Sequence, residues 1–286
     1  MIAVLKKEFK SLFTGVTGPV FIACLLFFTG MYVTSINLRA GFASFEYVLQ
    51  SITIFLLLIP ILTMRSFAEE KHMKTDQLLL SLPMSVTEVV LGKYFAMLGV
   101  FALPTAVMAA YPVILSAFGY MAYKPIYFAL FGFFILGAAL IALCMFISSL
   151  TESQVLSAVI GIATLFLLYM MDAIVALVPS SPGASLGCFI ALAALVGVIF
   201  YALTKNASLS AVVFALLATL TAVFYFVTPS AFSGLFASVL SYLAVFSRFI
   251  DLTGGIFDIT AIVYLISFAA FFIYLTVQSV EKRRWC

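Results

Sequence analysis

A short acidic stretch that contains the single histidine is the part of the sequence closest to a metal site. Glu69 and Glu70 are followed by His72, and carboxylate and imidazole groups are ligands of catalytic zinc. A catalytic zinc usually takes two or three histidines, however, and the chain has one. The four cysteines form no C-x-x-C pair; they are Cys24, Cys144, Cys188 and Cys286. We therefore predict no metal site and no catalytic residue in this chain.

A nucleotide site is the second chemistry that the sequence allows us to test. A phosphate loop has the pattern G-x-x-x-x-G-K-[ST], because its glycines let backbone N–H groups wrap the phosphates. The one Gly-Lys pair is Gly92-Lys93; it is followed by Tyr94, and no glycine stands at the required upstream position. If the protein uses ATP, another chain must therefore bind and hydrolyse it.

Long apolar segments make up most of the chain. Of its 286 residues, 65% are hydrophobic and 9% are charged, and the mean hydropathy is +1.27. An average soluble domain is about a quarter charged. Apolar runs recur near the ~20 residues that cross a bilayer as a helix, without the short alternating segments of a membrane β-barrel. The sequence predicts an all-α, polytopic transmembrane helical bundle. The net charge of +3 is spread between the apolar runs, so no nucleic-acid partner is expected.

Eight spans account for these runs, within a single transmembrane domain that covers residues 1–286. We predict them near residues 18–38, 47–64, 89–119, 126–149, 154–178, 184–203, 209–228 and 257–280. Pro104 and Pro112 are expected to kink the third. Before the first span, apolar residues of the 1–17 segment recur at helical spacing with lysines between them, which predicts an interfacial amphipathic helix. An ordinary charged flank of the first span is the alternative.

The distribution of lysine and arginine gives an orientation. Basic residues concentrate in cytoplasmic loops. With the amino terminus inside, the inside set is Lys6, Lys7, Lys10, Arg65, Lys71, Lys74, Lys93, Lys205, Lys282, Arg283 and Arg284. The outside set is Arg39, Lys124 and Arg248. Both termini are therefore predicted to be cytoplasmic.

Two connections between spans are long, one on each side. In the inside 65–88 segment, charged residues that we expect to be solvated, among them Glu69, Glu70 and Lys71, precede an apolar cluster that ends at Pro83. Such a segment can dock on a neighbouring protein, or it can be a simple charged hairpin. In the outside 229–256 segment, one apolar helical stripe predicts a helix at or dipping into the outer surface, with or without a gating role. Its members are Leu235, Val239, Leu243, Phe246 and Ile250.

The 65–88 segment resembles the signature of type-2 ABC transporter permeases. That signature has an arginine after the second span, then A-E-E, a Gly/Lys-Thr-Asp/Glu-x-Leu-Leu core and a proline. The matching residues here are Arg65, Ala68, Glu69, Glu70, Thr75, Asp76, Leu78, Leu79, Pro83 and Ser85. Lys74 stands where the family often has glycine. The polar break at residues 148–154 also resembles the family, and the two spans in 184–228 look like an insertion relative to its common six-span form.

A second set of residues resembles the gliding-motility-type branch of that family. It lies at the entry to the last span and includes Phe249, Gly255, Asp258 and Tyr264, and the basic tail at 281–285 also fits. The resemblance implies a gate near the outer surface, for which the candidates are Phe249, Asp251, Gly255 and Asp258.

The resemblance implies a transport role and specific partners. The resemblance points to the permease of an exporter in the plasma membrane, which would be the inner or cell membrane of a bacterium. The 65–88 segment would contain a coupling helix seated in a groove of a separate ATPase, and residues 1–17 would be a connecting helix beside it. Two ATPase subunits, which bind the ATP and Mg, and a second copy or paralogue of the permease would complete the complex. The substrate is not implied.

Two other function classes stay open at this stage. A secondary transporter or channel would be favoured by inverted repeats, paired broken helices or a carboxylate at mid-membrane. None is evident, because Asp172 and Asp258 fall near the ends of predicted spans. The other class is a membrane anchor or assembly factor, against which the long 65–88 segment counts. A P-loop ATPase encoded beside this chain would favour the exporter.

Overall fold

The computed structural model describes residues 1–41, 44–75, 85–117, 122–179, 181–227, 232–253 and 258–282. Within these residues, every regular element is a helix. The all-α class predicted from the apolar runs is therefore confirmed. The chain divides into two compact units, one formed by Met1–Leu167 with Val245–Cys286 and the other by Leu168–Ala244. We call them the core unit and the second unit.

The core unit begins with α1 (Ile2–Thr14) and α2 (Thr17–Tyr32), which continues as a π-helix (Val33–Arg39). The next segment joins α3 (Glu46–Ile52), a 3₁₀ helix (Thr53–Leu58), α4 (Ile59–Thr63) and, after a turn, α5 (Ala68–His72). There follow α6 (Val86–Met108), α7 (Tyr111–Leu115), α8 (Tyr123–Leu150) and α9 (Gln154–Tyr169). The unit resumes with α14 (Val245–Thr253) and α15 (Ile259–Lys282).

The α8 helix forms the centre of the core unit. Its residues are buried along most of its length, and it packs against α4, α6, α14 and α15. Gly137 lets α6 come close, since a side chain at this position would overlap the buried ring of Phe101. Phe101 in turn lies 5.9 Å from Phe133 of α8, measured between ring centroids. Close packing of this kind fixes where the two ends of α8 hold their neighbours.

The second unit contains α10 (Met171–Leu177), α11 (Pro182–Thr204), α12 (Ala207–Val227) and α13 (Leu235–Tyr242). The α11 and α12 helices pack together, and the Ser210 hydroxyl of α12 donates to the carbonyl of Gly197 at 2.6 Å. The polar turn predicted between these helices is confirmed. Lys205 ends α11 in the left-handed conformation, with a φ of 51°.

Six helical segments are long and apolar enough to cross a membrane. They are Thr17–Arg39, Glu46–His72, Val86–Leu115, Tyr123–Leu150, Ser208–Tyr225 and Ile259–Lys282. Each overlaps a predicted span. Two bent pairs, α9 with α10 and α13 with α14, would raise the number to eight if each crosses as one. The first pair coincides with the predicted fifth span. The predicted sixth span corresponds to α11, where Pro182–Val198 is a shorter apolar helix.

One local prediction was wrong. The single stripe in the outside 229–256 segment is divided between α13 and α14, which belong to different units, and Ile250 is half exposed while Phe246 is buried. The kink predicted at Pro112 agrees with an interruption of the helix at Ala109–Ala110, just before this residue, and Pro104 lies inside the continuous α6. A proline in the first turn of a helix, as in α7, needs no N–H donor.

Candidate functional site at the basic end of the core unit

One end of the core unit gathers buried charges around Lys93. Its Nζ atom lies 2.8 Å from Glu70 Oε1, 3.4 Å from Glu8 Oε1 and 2.6 Å from the carbonyl oxygen of Ser66. The Lys93 side chain is 2% exposed, and the ring of Phe67 lies 5.0 Å from the ammonium. We call this end, formed by α1, α5, the start of α6 and the last turns of α8 and α15, the basic end.

The sequence of α6 leaves room for α1 to lie across it. A Cβ atom at Gly92 would stand 3.1 Å from Val4 Cβ, and one at Gly99 would stand 3.1 Å from the Phe9 ring. Gly92 and Gly99 are two helical turns apart, so together they make a shallow groove for the apolar face of α1. Val4 is buried on that face. The helix predicted at residues 1–17 is confirmed; its position in the headgroup plane stays a prediction. Glu8 reaches Lys93 from this helix.

Hydrogen bonds from the end of α8 hold the start of α5. The Ser148 hydroxyl accepts from the backbone N–H groups of Phe67 at 3.3 Å and Ala68 at 3.2 Å, and it donates to the Met64 carbonyl at 3.3 Å. These N–H groups are donors that a helix start leaves unpaired, so Ser148 caps α5 from another helix. Lys71, only 8% exposed, donates to the carbonyl of Ser149.

The carboxyl end of α5 explains the family's glycine in the A-E-E signature. The Lys74 N–H donates to Lys71 O at 3.1 Å and the Thr75 N–H donates to Glu70 O at 2.9 Å. This pair of bonds is the Schellman motif, which needs a left-handed residue just past the helix. Lys74 takes that conformation, with a φ of 55°. Glycine adopts it without strain, whereas lysine does so at some cost in energy.

Exposure separates the two adjacent glutamates of the signature. Glu70 is 17% exposed and paired with Lys93, whereas Glu69 is 38% exposed, with its Oε2 3.9 Å from Arg65 Nε. Glu70 and Lys71, predicted to be solvated, are therefore held inside the unit, because α5 packs against α6 and α8. Among the other predicted coupling residues, Asp76, Leu78, Leu79 and Pro83 lie outside the described residues. Ser85 is the N-cap of α6 and forms a capping box with Glu88.

A cleft of about 720 Å³ opens between α1 and residues 65–75. Charged and partly exposed side chains line it, including Lys7, Lys10, Arg65 and Glu69. Ser66 also lines it, and its hydroxyl oxygen is buried with no hydrogen-bond partner within the described part of the chain. The basic end therefore presents an open charged cleft, and the ion-pair cluster of Glu8, Glu70 and Lys93 forms part of its lining.

Phe249, the first of the predicted gate residues, lies toward the other end of α8, which we call the far end. Phe249 is buried, with its ring centroid 5.9 Å from that of Phe133, and Leu252 packs on Gly132. Thr253 accepts a hydrogen bond from the Gln50 side chain. From Gly132 to Ser148 the rise of α8 is about 24 Å, at about 1.5 Å per residue. The far end is thus separate from the basic end.

Asp251 and Asp258 do not share the buried environment of Phe249. Asp251 is exposed, and Gly255 lies outside the described residues. Asp258 caps α15, since its Oδ1 accepts the Thr260 N–H at 2.8 Å. Hydrogen bonding by the Thr260 side chain is the main cause that lowers the pKa of the Asp258 carboxyl, with a smaller contribution from Arg248.

Enzyme chemistry finds no support in the described residues. They contain no cluster of three or more histidine, cysteine, aspartate or glutamate side chains that could hold a metal ion. The chain does contain one G-x-S-x-G pattern, from Gly183 to Gly187, which is the nucleophile motif of α/β-hydrolases. That motif needs an exposed serine on a strand-to-helix turn. Ser185 instead lies buried in the first turn of α11.

The sequence reasoning missed Lys93 and Glu8 as site residues. From the sequence, Lys93 is predicted only as a member of a Gly-Lys pair and of the inside basic set, and no role is predicted for Glu8. The usable signal was the position of Lys93 inside the predicted third span, because an ionisable residue within an apolar helix is costly unless it is paired. Nothing in the spacing of Glu8 and Glu70 predicts that both reach it.

Several membrane-length helices in one all-α chain define a multi-pass membrane protein. A family model described as ABC-2 family transporter protein matches residues 33–186, which is more than half of the chain, and the protein therefore belongs to that family. No curated protein and no solved structure gives a match. Members of this family serve as membrane permeases of ABC transporters. They are transport subunits that generally work with ABC ATPases.

Proposed function

We propose that this chain is the permease of an ATP-driven exporter and that a separate ATPase acts on its 65–88 segment. One observation carries the proposal: α5 is fixed to two membrane helices at once. Glu70 is paired with Lys93 of α6, and Ala68 and Lys71 bond to Ser148 and Ser149 of α8. A partner that displaces this segment would therefore move α6 and α8 with it.

The exposed side of the same segment offers the contact for that partner. Arg65 and Glu69 are partly exposed and line the cleft, together with Lys7 and Lys10 of α1. Side chains of both signs can pair with a complementary charged groove. In this proposal Glu69 contacts the ATPase, whereas Glu70 transmits the displacement inward. The described part of the predicted coupling set thus divides into an outer and an inner face.

We further propose that the basic end lies in the cytoplasm. Most of the predicted inside lysines and arginines belong to this end, which agrees with the rule that basic residues stay inside. A cysteine-free variant with either Met73→Cys or Tyr47→Cys tests the orientation, because both positions are exposed, one at each end. An impermeant thiol reagent added to whole cells should label the Tyr47→Cys protein and not the Met73→Cys protein. The reverse labelling would overturn the orientation.

The assembly proposed is a permease pair, formed with a second copy or a paralogue, and two ATPase subunits that bind the ATP and Mg. The resemblance of residues 249–264 supports the gliding-motility-type branch and a bacterial cell membrane. Substrate would pass along the interface between the two permeases. Its chemical class stays open.

Movement of α14 at the far end is the proposed gate. A Cβ built at Gly132 lies 3.6 Å from Leu252 Cβ, within the 3.5–4.5 Å range over which disulfides form. In a cysteine-free background, Gly132→Cys with Leu252→Cys should therefore lock α14 onto α8 when oxidised. Loss of substrate-stimulated ATPase activity that dithiothreitol restores would support the gate. Full activity of the locked protein would show that α14 does not need to move.

The experiment for the whole proposal is purification of the tagged chain with the products of its neighbouring genes. Recovery of a P-loop ATPase with vanadate-sensitive activity would support it, and Glu69→Ala with Glu70→Ala should then weaken coupling while membrane insertion is retained. Unchanged stimulation in that variant would remove the coupling role from these residues. A clean preparation without any ATPase would contradict the exporter and favour a transporter or anchor of another kind.

A further inference from the structure

We infer that Lys93 is a positioning residue that joins α1 and α5 into one unit on the start of α6. The inference rests on the proposed function for its consequence, because this unit is what would pass a displacement of the segment to the third span. Its geometric content, that the position of α1 relative to α5 depends on Lys93, stands independently of any ATPase.

Two hydrogen bonds and an ion pair surround the ammonium of Lys93. A lysine has three N–H donors and no acceptor. The three oxygen atoms nearest to Lys93 Nζ are Ser66 O, Glu70 Oε1 and Glu8 Oε1, at 2.6, 2.8 and 3.4 Å. With Phe67 over the ammonium and 2% of the side chain exposed, water has little access. Each oxygen thus acts as a specific partner.

The two carboxylates come from different elements, and this makes the cation necessary. Glu8 belongs to α1 and Glu70 to α5, and both are 17% exposed. Like charges that share a poorly hydrated site repel each other, and a cation between them reverses the sign of that interaction. The contacts of Val4 and Phe9 with glycines hold α1 on α6, but they do not link it to α5. Lys93 supplies that link.

Stability alone does not account for this arrangement. Apolar side chains of similar volume often replace a buried ion pair without loss of stability, whereas removal of one member alone leaves an uncompensated charge. A structural role and a positioning role therefore make different predictions. If Lys93 only stabilises the fold, a neutral version of the whole cluster should function normally. If it positions α1 against α5, the neutral version should fold and fail to couple.

The geometric test uses spin labels at Ser11 and Met73, which line the cleft from α1 and from the 65–88 segment. Both positions are exposed. In a cysteine-free background, we expect a narrow distribution of distances between the labels, and a broader or longer one in Lys93→Met. Lys6→Met is the matched control, since it removes an exposed lysine of α1 and should leave the distribution unchanged. A Lys93→Met distribution that superimposes on that of the parent would overturn the inference.

The functional test uses the neutral triple variant Glu8→Gln, Lys93→Met, Glu70→Gln in the complex with its ATPase. We expect it to purify with the melting temperature of the parent and to lose about tenfold in stimulated ATPase activity, within the usual range of coupling between sites. If the triple variant shows the same stimulated ATPase activity as the parent, Lys93 has only a structural role. If no ATPase co-purifies with the parent protein, the proposed function is contradicted. The spin-label result then decides the geometric part of the inference by itself.

Discussion

At the far end of α8 a neighbouring helix is held by apolar packing, and at the basic end another is held by hydrogen bonds and an ion pair. Phe249 and Leu252 of α14 pack on Phe133 and Gly132, with a single polar link from Gln50. Sixteen residues along α8, Ser148 caps α5 through two N–H groups, and the next carbonyl accepts from Lys71. The same helix thus supports its neighbours by two kinds of force.

The difference matters because the two forces respond differently to displacement. Packing of apolar side chains contributes stability through many weak dispersion contacts, none of which depends steeply on angle. Hydrogen bonds weaken steeply with angle, and ion pairs with distance, so they define one geometry. We therefore expect the far end to contribute more to stability and the basic end to contribute more to the transmission of movement. Four predictions test this division, ordered by the expected loss of stability.

Truncation of Phe249 should give the largest loss. Phe249 is fully buried against α8, and Phe→Ala in a core costs about 3–5 kcal/mol, of which we expect about 3 kcal/mol because lipid is itself apolar. The free energy of unfolding from an SDS titration measures it. Phe131→Ala, at an exposed position of α8, is the control. A smaller loss for Phe249→Ala than for the control would contradict the packing role, and the Ser11–Met73 label distances should not change in either.

Neutralisation of Glu70 should lower the stability less than Phe249→Ala does, and it should weaken coupling to the ATPase far more. Glu70→Gln leaves Lys93 with the more distant Glu8, so we expect about 2 kcal/mol, below the 3–5 kcal/mol of a fully broken buried pair. Stimulated ATPase activity should fall by about tenfold.

Glu69→Gln is the matched comparison, one residue away on the exposed side of α5. It should cost under about 0.5 kcal/mol, since an exposed pair with Arg65 contributes little. Its effect on coupling should appear as weaker recovery of the ATPase instead of a broader label distribution. Equal stability losses in the two variants would contradict the assignment of Glu70 to the inner face.

The helices themselves could be predicted from the sequence because span length and apolar content are local properties. Six of the eight predicted spans match single long segments, including the one that contains α8. Where prediction failed, the cause was tertiary. The stripe from Leu235 to Ile250 continues at helical spacing through residues 243–244, and no proline or glycine stands there to mark the break between α13 and α14. The two helices are distinct because each packs within a different unit.

The candidate site was half predictable for the same reason. The A-E-E stretch marked the 65–88 segment, and the polar residues at 148–154 marked a break, but neither pattern shows that Ser148 caps α5 eighty residues earlier in the chain. Likewise Lys93 pairs with Glu8 across 85 residues, a relation set by how α1 crosses Gly92 and Gly99. Lys71 was predicted to be solvated because hydropathy carries no information about a buried partner such as the Ser149 carbonyl.

Removal of the Ser148 hydroxyl should have a moderate effect confined to the basic end. Ser148→Ala deprives two backbone N–H groups of their acceptor, which we expect to cost about 1 kcal/mol. Ser149→Ala is a close control, because that hydroxyl donates to Phe146 O within its own helix and the carbonyl used by Lys71 remains. Ser148→Ala should accelerate amide hydrogen exchange at Phe67 and Ala68. Equal exchange in the two variants would contradict the capping role.

The smallest effect should come from Asp258, whose carboxylate is exposed and caps α15 at the start of the last span. Its hydrogen bonds with Thr260 favour the charged form and lower its pKa below the ordinary value. A lowered pKa in the folded state contributes stability above the pKa of the unfolded state, and that contribution is lost as pH falls through the folded value. The melting temperature of the parent minus that of Asp258→Asn should therefore decrease as the pH falls below the ordinary range of a carboxyl, since asparagine caps a helix without titrating. A difference that stays constant across this range would mean that the charge of Asp258 adds nothing to the cap, and the hydrogen bond to the Thr260 N–H would then account for its whole role.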